Sequence, residues 1–440
     1  MLYVGVIFFL ILQFLRPQEF VPLLYGLRLV YWTMILLVPI WAIKLQWKKL
    51  LRTPVDLMIF GFYLICILSW WNYYKSRMFL PGGPVFTLIP PMLIYFLTAH
   101  AVDTRQKLVG GVWMVFLSLI IIGLLAGEDV GLTGQYASIG MFDNRNDFAY
   151  AMAILAPIGF AFLLAGSAPE KIAGLGAMIL AFGQIVASGS RGGLLATLGA
   201  VYAVLLTRPR RAFVRFGMAL AGIIAFGFVL SFSPRLQTVG GYTRDGSAMG
   251  RVEVWGMCLT LFRNHRFIGH GARTWLLTPG TPRDTHSSYM RVLFELGTIG
   301  LFIYLGVFFY AMRASYKITQ QGSSGRMRVM GLAIFGILAG QTIGSVLQTR
   351  VYYPFVFAIL GLSSALLLVS SREQGQIPEP TGRADWPPDR LSGLTPDLWN
   401  QSAGSGFSAP GLWNKRDFYI IAGLTFLCWL VHKLFVMRSY

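Results

Sequence analysis

Apolar runs of roughly 17–25 residues recur along nearly the whole of this chain, and that recurrence limits its fold more than any other feature. A hydrocarbon core about 30 Å thick is crossed by a helix of about that length. Backbone N–H and C=O groups find no water there, so only helices or closed barrels can cross it. No alternating strand pattern of the barrel type competes. Charged residues are 12% of the 440 and hydrophobic residues 55%, whereas a soluble chain carries about a quarter charged residues. The expected fold class is all-α: a polytopic helical membrane protein with about 12–13 transmembrane helices and one large periplasmic loop region.

The spans fall near 1–15, 28–43, 54–70, 84–99, 108–126, 147–165, 171–187, 191–206, 212–231, 287–312, 329–346, 352–370 and 418–437. The first lacks a basic leader and a small-x-small cleavage site before Arg16, so it reads as a retained span and not a signal peptide. Loop charge orients the set. Lys44, Lys48, Lys49 and Arg52 mark one loop, Arg105 and Lys107 the next, and Lys171 a third. Arg208, Arg210, Arg211 and Arg215 mark a fourth, and Arg313, Lys317, Arg326 and Arg328 a fifth. Thirteen spans put all five on the cytoplasmic side, with the N-terminus inside and the C-terminus outside.

Four regions follow: N-terminal transmembrane helices over 1–140, a second membrane region over 141–370 that includes the loop 232–286, a flexible cytoplasmic linker over 371–416, and an extra C-terminal transmembrane helix over 417–440. The linker is rich in Pro, Gly, Ser and charge and buries too little apolar surface to order itself. Gly336, Gly340 and Gly344 form a small-residue row that lets neighbouring helices approach closely. Cys66, Cys258 and Cys428 give neither a disulfide framework nor a metal spacing.

The net charge is +19, and ordinary cytoplasmic loops explain only part of it. The long outside segment 232–286 holds Arg235, Arg244, Arg251, Arg263, Arg266, Arg273 and Arg283 but no lysine. Lys and Arg satisfy the topology rule equally, so topology does not explain the choice. A guanidinium is a permanent cation with a planar fork for phosphate oxygens. The plain alternative is contact with lipid headgroups or with Asp245, Glu253 and Asp284.

Arg191, in Ser190-Arg191-Gly192-Gly193, sits between two spans with almost no loop, where an ionisable group is costly and is paired, functional or snorkelling. His286 stands where the loop enters a long span, with Asp284 or Thr285 as the expected helix N-cap. The positive end of that helix would hold its imidazole neutral, the form that accepts a proton. A satisfied interfacial histidine is the bland reading. His265 and His270 gain no such support and complete no metal site. Glu295, below His286, is expected to order the bundle through an arginine such as Arg291 or Arg313.

Several short motifs, in order, resemble the O-antigen ligase and polymerase superfamily of bacterial inner-membrane glycosyltransferases. They are Asn144-Arg145-Asn146-Asp147, Ser190-Arg191-Gly192, Gly250-Arg251-Val252-Glu253-Val254-Trp255, Arg266-Phe267-Ile268-Gly269-His270-Gly271, and His286-Ser287-Ser288-Tyr289 running on to Glu295-Leu296-Gly297-Thr298-Ile299-Gly300-Leu301. The resemblance covers roughly 140–305. It implies an undecaprenyl diphosphate-linked glycan as donor and inverting, metal-independent transfer to an acceptor hydroxyl on the periplasmic face. The acceptor would be lipid A-core or another glycan.

Carried over, Arg191 and Arg251 would hold the diphosphate, and His286 would activate the acceptor hydroxyl or help hold the leaving group. Arg273, Arg283 and Arg350 are further candidates for the phosphates, and Asn144 and Asp147 for sugar hydroxyls, with helix capping the simpler reading of the last two. No cofactor, metal ion or nucleic acid is expected; the other partners are membrane lipids. A repeat-unit polymerase uses the same donor chemistry and stays open beside a ligase. A transporter of anionic lipid or glycan is the reading from another class, for which broken helices near mid-membrane and two related halves would speak.

Overall fold

The computed structural model describes residues 1–19, 21–24, 26–44, 50–73, 84–133, 145–207, 246–278, 280–281, 283–375 and 415–437. The expected span 212–231, Asn144, the start of the long loop and most of the linker lie outside the described residues.

Among the described residues the secondary structure is helical. The helices are α1 (Leu2–Phe14), α2 (Leu29–Lys44), α3 (Pro54–Tyr73), α4 (Pro84–Ala101), α5 (Arg105–Thr133), α6 (Arg145–Ala165), α7 (Ala168–Ser188) and α8 (Arg191–Leu206). After them come α9 (Gly246–Phe262), α10 (Ser288–Gln321), α11 (Gly325–Gly344), α12 (Pro354–Glu373) and α13 (Lys415–Met437). Six of these are long and apolar enough to cross a membrane, and five shorter apolar helices accompany them. The protein is a polytopic helical membrane protein.

The centre of the bundle is α6, α8, α10, α11 and α12. The glycine row of α11 makes this possible. A Cβ at Gly336 would collide with Pro157 of α6 and Val204 of α8, and one at Gly340 would press on Ala200 at 3.0 Å. Among the described residues, four of the five charged loops read as one side of the membrane meet at one end. There Arg105 pairs with Glu373 at 3.6 Å and Arg326 with Glu170, and Arg372 donates to the Asp103 carbonyl at 2.9 Å. Arg52 joins them through the Ala99 carbonyl, 3.0 Å away.

Two elements depart from the sequence expectation. The first is α9, a 17-residue helix inside what reads as a long loop. It packs on α10 and α13. The second is α10, which reads as one span but is broken at Gly297 (φ 68°, ψ −167°). A straight helix would hold Tyr289 and Tyr304 about 22 Å apart along its axis, yet their ring centroids are 6.1 Å apart. Residues 288–296 therefore fold back alongside 298–321 as a helical hairpin.

A break exposes carbonyls at the end of one half and N–H groups at the start of the other. The segment 266–271 satisfies both. His270 N–H donates to the Phe294 carbonyl at 3.0 Å and Gly271 N–H to that of Glu295 at 2.8 Å. Thr298 N–H donates to the Arg266 carbonyl at 2.8 Å and Ile299 N–H to that of Phe267 at 3.2 Å. The backbones approach so closely that a side chain at Gly269 or Gly297 would strike the opposite main chain. Irregular backbone survives among spanning helices only where protein or water satisfies it, and here protein does so.

The last helix is anchored. Arg313 of α10 pairs with the buried Asp417, Phe302 meets Phe418 at 5.3 Å, and α13 also touches α9.

Candidate functional site

The starts of α6, α8, α9 and α10 and the turn between α11 and α12 converge at the end of the bundle away from the Arg326–Glu170 pair. The link to α8 is close packing: Gly193 lies against Ala149 of α6, where a Cβ would collide, and a Cβ at Gly192 would stand 3.5 Å from Leu347 of the α11–α12 turn. Arg191, half-buried, opens α8 between Gly189, the left-handed cap of α7, and the rest of its first turn. Ser190 caps that turn by accepting from the Gly193 N–H at 3.3 Å.

His286 precedes α10 in a left-handed conformation, φ 48°. The helix cap is Ser287, whose hydroxyl accepts from the Met290 N–H at 3.4 Å, and not Asp284 or Thr285. Side chains avoid positive φ, and holding one there costs about 1–3 kcal/mol. Neighbours on two elements, α9 and the α11–α12 turn, enforce it. Trp255 of α9 donates to the Thr285 carbonyl at 2.8 Å, and the Thr285 and Thr349 hydroxyls meet at 3.0 Å. Ser288 N–H donates to the Ser345 carbonyl at 2.8 Å. Asp284 is instead the hub of a local ion pair, accepting from Thr285 N–H at 2.8 Å and from Arg291 at 2.8 Å.

The imidazole keeps solvent-exposed surface, and its pKa is lowered from 6.5. Partial burial is the largest cause. Asp284 and Asp147 favour the charged ring, while Arg251 and Arg283 oppose it. The direction agrees with the neutral imidazole expected from the sequence, although burial and arginines contribute where a helix dipole was expected. These influences also place Arg251, Arg283, Asp147 and Asp284 around His286. Arg251 is half-buried on α9 and Arg283 exposed; Arg283 Nη1 lies over Gly250, where a Cβ would come within 2.7 Å.

The remaining candidates are placed differently. Arg350 is 1% exposed. It pairs with Asp147, reaches the Gln348 amide oxygen at 3.3 Å, and lies 4.2 Å from the Tyr353 ring centroid and 5.6 Å from that of Tyr150. It reaches the site through Asp147. Arg273, also left-handed (φ 61°), lies 5.4 Å from the Tyr352 ring centroid. Tyr352 in turn donates to Glu295 at 2.6 Å. Glu295 is fully buried, pairs with Arg291 and accepts from the Trp275 N–H at 3.2 Å. Of the two arginines expected for Glu295, the structure selects Arg291; Arg313 serves α13.

Sequence reasoning missed the Asp284–Arg291 pair and Tyr352. No helical spacing signalled the pair, because Asp284 lies before the Ser287 cap of α10 and reaches Arg291 across the non-helical segment 284–287. Sequence reasoning also missed that His265 and His270 come together, ring centroids 4.4 Å apart, with His270 stacked on Phe294 at 4.2 Å.

Residues 176–305 match the family model described as O-antigen ligase, and they contain Arg191, Arg251, His286 and the α10 break at Gly297. This stretch of the polytopic helical bundle is thus similar to O-antigen ligases. The chain is also 24% identical over 309 residues to an O-antigen ligase of Pseudomonas aeruginosa, covering 67% of this chain and 72% of that one.

Proposed function

We propose that the protein is an inverting, metal-independent glycosyltransferase of the O-antigen ligase type in the bacterial inner membrane. It moves a glycan from undecaprenyl diphosphate to a hydroxyl of lipid A-core or a similar acceptor, with its site facing the periplasm. The observation that carries this is the gathering of a histidine of lowered pKa, Arg251, Arg283 and Asp147 where four helices start, inside the region shared with O-antigen ligases.

The chemistry follows from the groups. The acceptor oxygen attacks the anomeric carbon from the face opposite the diphosphate, and its proton passes to neutral His286. A positioned base of this kind is worth about 10²–10⁴-fold in rate. As the C–O bond to the diphosphate breaks, negative charge grows on the leaving oxygen. Guanidinium groups fixed in advance stabilise that charge, and Arg251, Arg191 and Arg283 are the residues assigned to it. Arg350 supports the site indirectly by holding Asp147, the residue assigned to sugar hydroxyls. The α10 break, a feature of transporters, is filled by the chain's own backbone, so it does not favour transport.

The test is glycan transfer by purified protein in liposomes, given a lipid diphosphate-linked oligosaccharide with and without lipid A-core. Label on the core acceptor establishes the ligase. A ladder of longer chains without core makes it a polymerase. Passage of the labelled lipid across the bilayer with no new product replaces both with transport.

A further inference from the structure

A buried polar chain lies just behind His286 and takes no part in the chemistry above. Arg291, buried in the first turns of α10, forks between two acids. One is Asp284, two residues before His286. The other is Glu295, fixed by the Tyr352 hydroxyl from the start of the α12 segment and by the Trp275 N–H from the preceding loop. A rigid anchor, a fork and the strained histidine segment are thus joined in series.

Resting on the proposed function, we infer that Arg291 is a positioning residue for His286: it clamps Asp284 to the anchored hairpin and so holds His286 in its left-handed conformation with a carboxylate at hand. The fork is the reason for arginine here. A lysine offers a single point charge and does not bridge two carboxylates in fixed geometry. Asp284 also accepts from Thr285 N–H, so clamping its carboxylate fixes the backbone of the residue adjoining His286. The charged groups around His286 are Arg283 and Asp284 on its own segment, Arg251 on α9, and Asp147 on α6, itself paired with Arg350; α8 brings Arg191 to the same end. Among these, Asp284 is the carboxylate that Arg291 controls.

The full-length protein is compared with Asp284→Asn, Arg291→Lys and the double variant, all checked for folding by thermal melting in detergent. Two readouts are taken: kcat and KM for transfer, and the rate of carbethoxylation of His286 against pH, resolved by peptide mass spectrometry. Asp284→Asn removes an anion that favours the imidazolium, so the His286 labelling midpoint should move to lower pH. Arg291→Lys should reduce kcat about 10-fold or more with little change in donor KM. The double variant should be no worse than the poorer single one, because both act on one link. An unmoved midpoint in Asp284→Asn, or additive losses in the double variant, overturns the inference. Labelling needs no substrate. If the wild type transfers nothing, the functional reading fails, while the midpoint and the coupling of labelling rates still decide the role of Arg291.

Discussion

His286 can take a proton from an acceptor hydroxyl only while its imidazole is neutral. Burial, Arg251 and Arg283 lower its pKa from 6.5, so the neutral form dominates at pH 7. The sign is fixed: kcat/KM should be level above about 6.5 and fall as pH drops through the lowered pKa. A rate that rises on acidification over that range would contradict the base assignment. Arg191 tests the phosphate assignment. Its replacement by lysine retains charge but loses the fork, and a charge-assisted bond is worth about 1.5–3 kcal/mol. Transfer by Arg191→Lys should therefore fall roughly 10–100-fold at unchanged melting temperature. The residue scale was also the most legible in the sequence. Arg191, Arg251 and His286 stand out by charge at a helix boundary and by motif. The pairing of Asp147 with Arg350 was not legible, because it joins α6 to the α11–α12 turn and no local spacing encodes it.

The hairpin of α10 is the element on which the site depends. Apart from Arg291 and Glu295 its residues stay mostly apolar through Gly297, so hydropathy reads one span over 287–312. The glycines of Gly269-His270-Gly271 and Glu295-Leu296-Gly297 are visible as motifs, but a motif does not reveal that the two stretches lie against each other. What decides it is backbone supply: the broken helix needs donors and acceptors, and 266–271 provides them. α9 was missed for a related reason. It carries Arg251 and Glu253 and two glycines at its start, and so reads as loop until α10 and α13 cover its apolar residues. Gly297→Ala would place a Cβ against the Phe267 carbonyl at positive φ. A loss of at least about 1–3 kcal/mol is expected from the backbone strain alone, read as a lower melting temperature together with lost transfer. Unchanged melting would mean that the hairpin relaxes freely.

At the scale of the whole molecule, two ends of one bundle differ in kind. One end is tied by paired charges, Arg326 with Glu170 and Arg105 with Glu373. The other gathers arginines and a histidine where helices start. Composition and the length of the apolar runs were enough to read the helical membrane class, since lipid leaves few options for backbone. How the last helix packs was not readable, because Asp417 and Arg313 meet across a long linker. Asp417 is 3% exposed, and Arg313→Ala would leave that buried acceptor without its guanidinium. A loss of about 1–3 kcal/mol is expected, with faster proteolysis of the chain around α13; no change in either would show that α13 rests on apolar contacts alone.

The most direct measurement is single-turnover release of undecaprenyl diphosphate from a lipid-linked glycan by wild-type protein and by His286→Ala, both in liposomes with acceptor present. The wild type should release the lipid diphosphate in step with glycosylated acceptor, and His286→Ala, folded and inserted, should slow both by about 10²–10⁴-fold. Equal rates in the two proteins would contradict the placement of the chemistry at this end of the bundle.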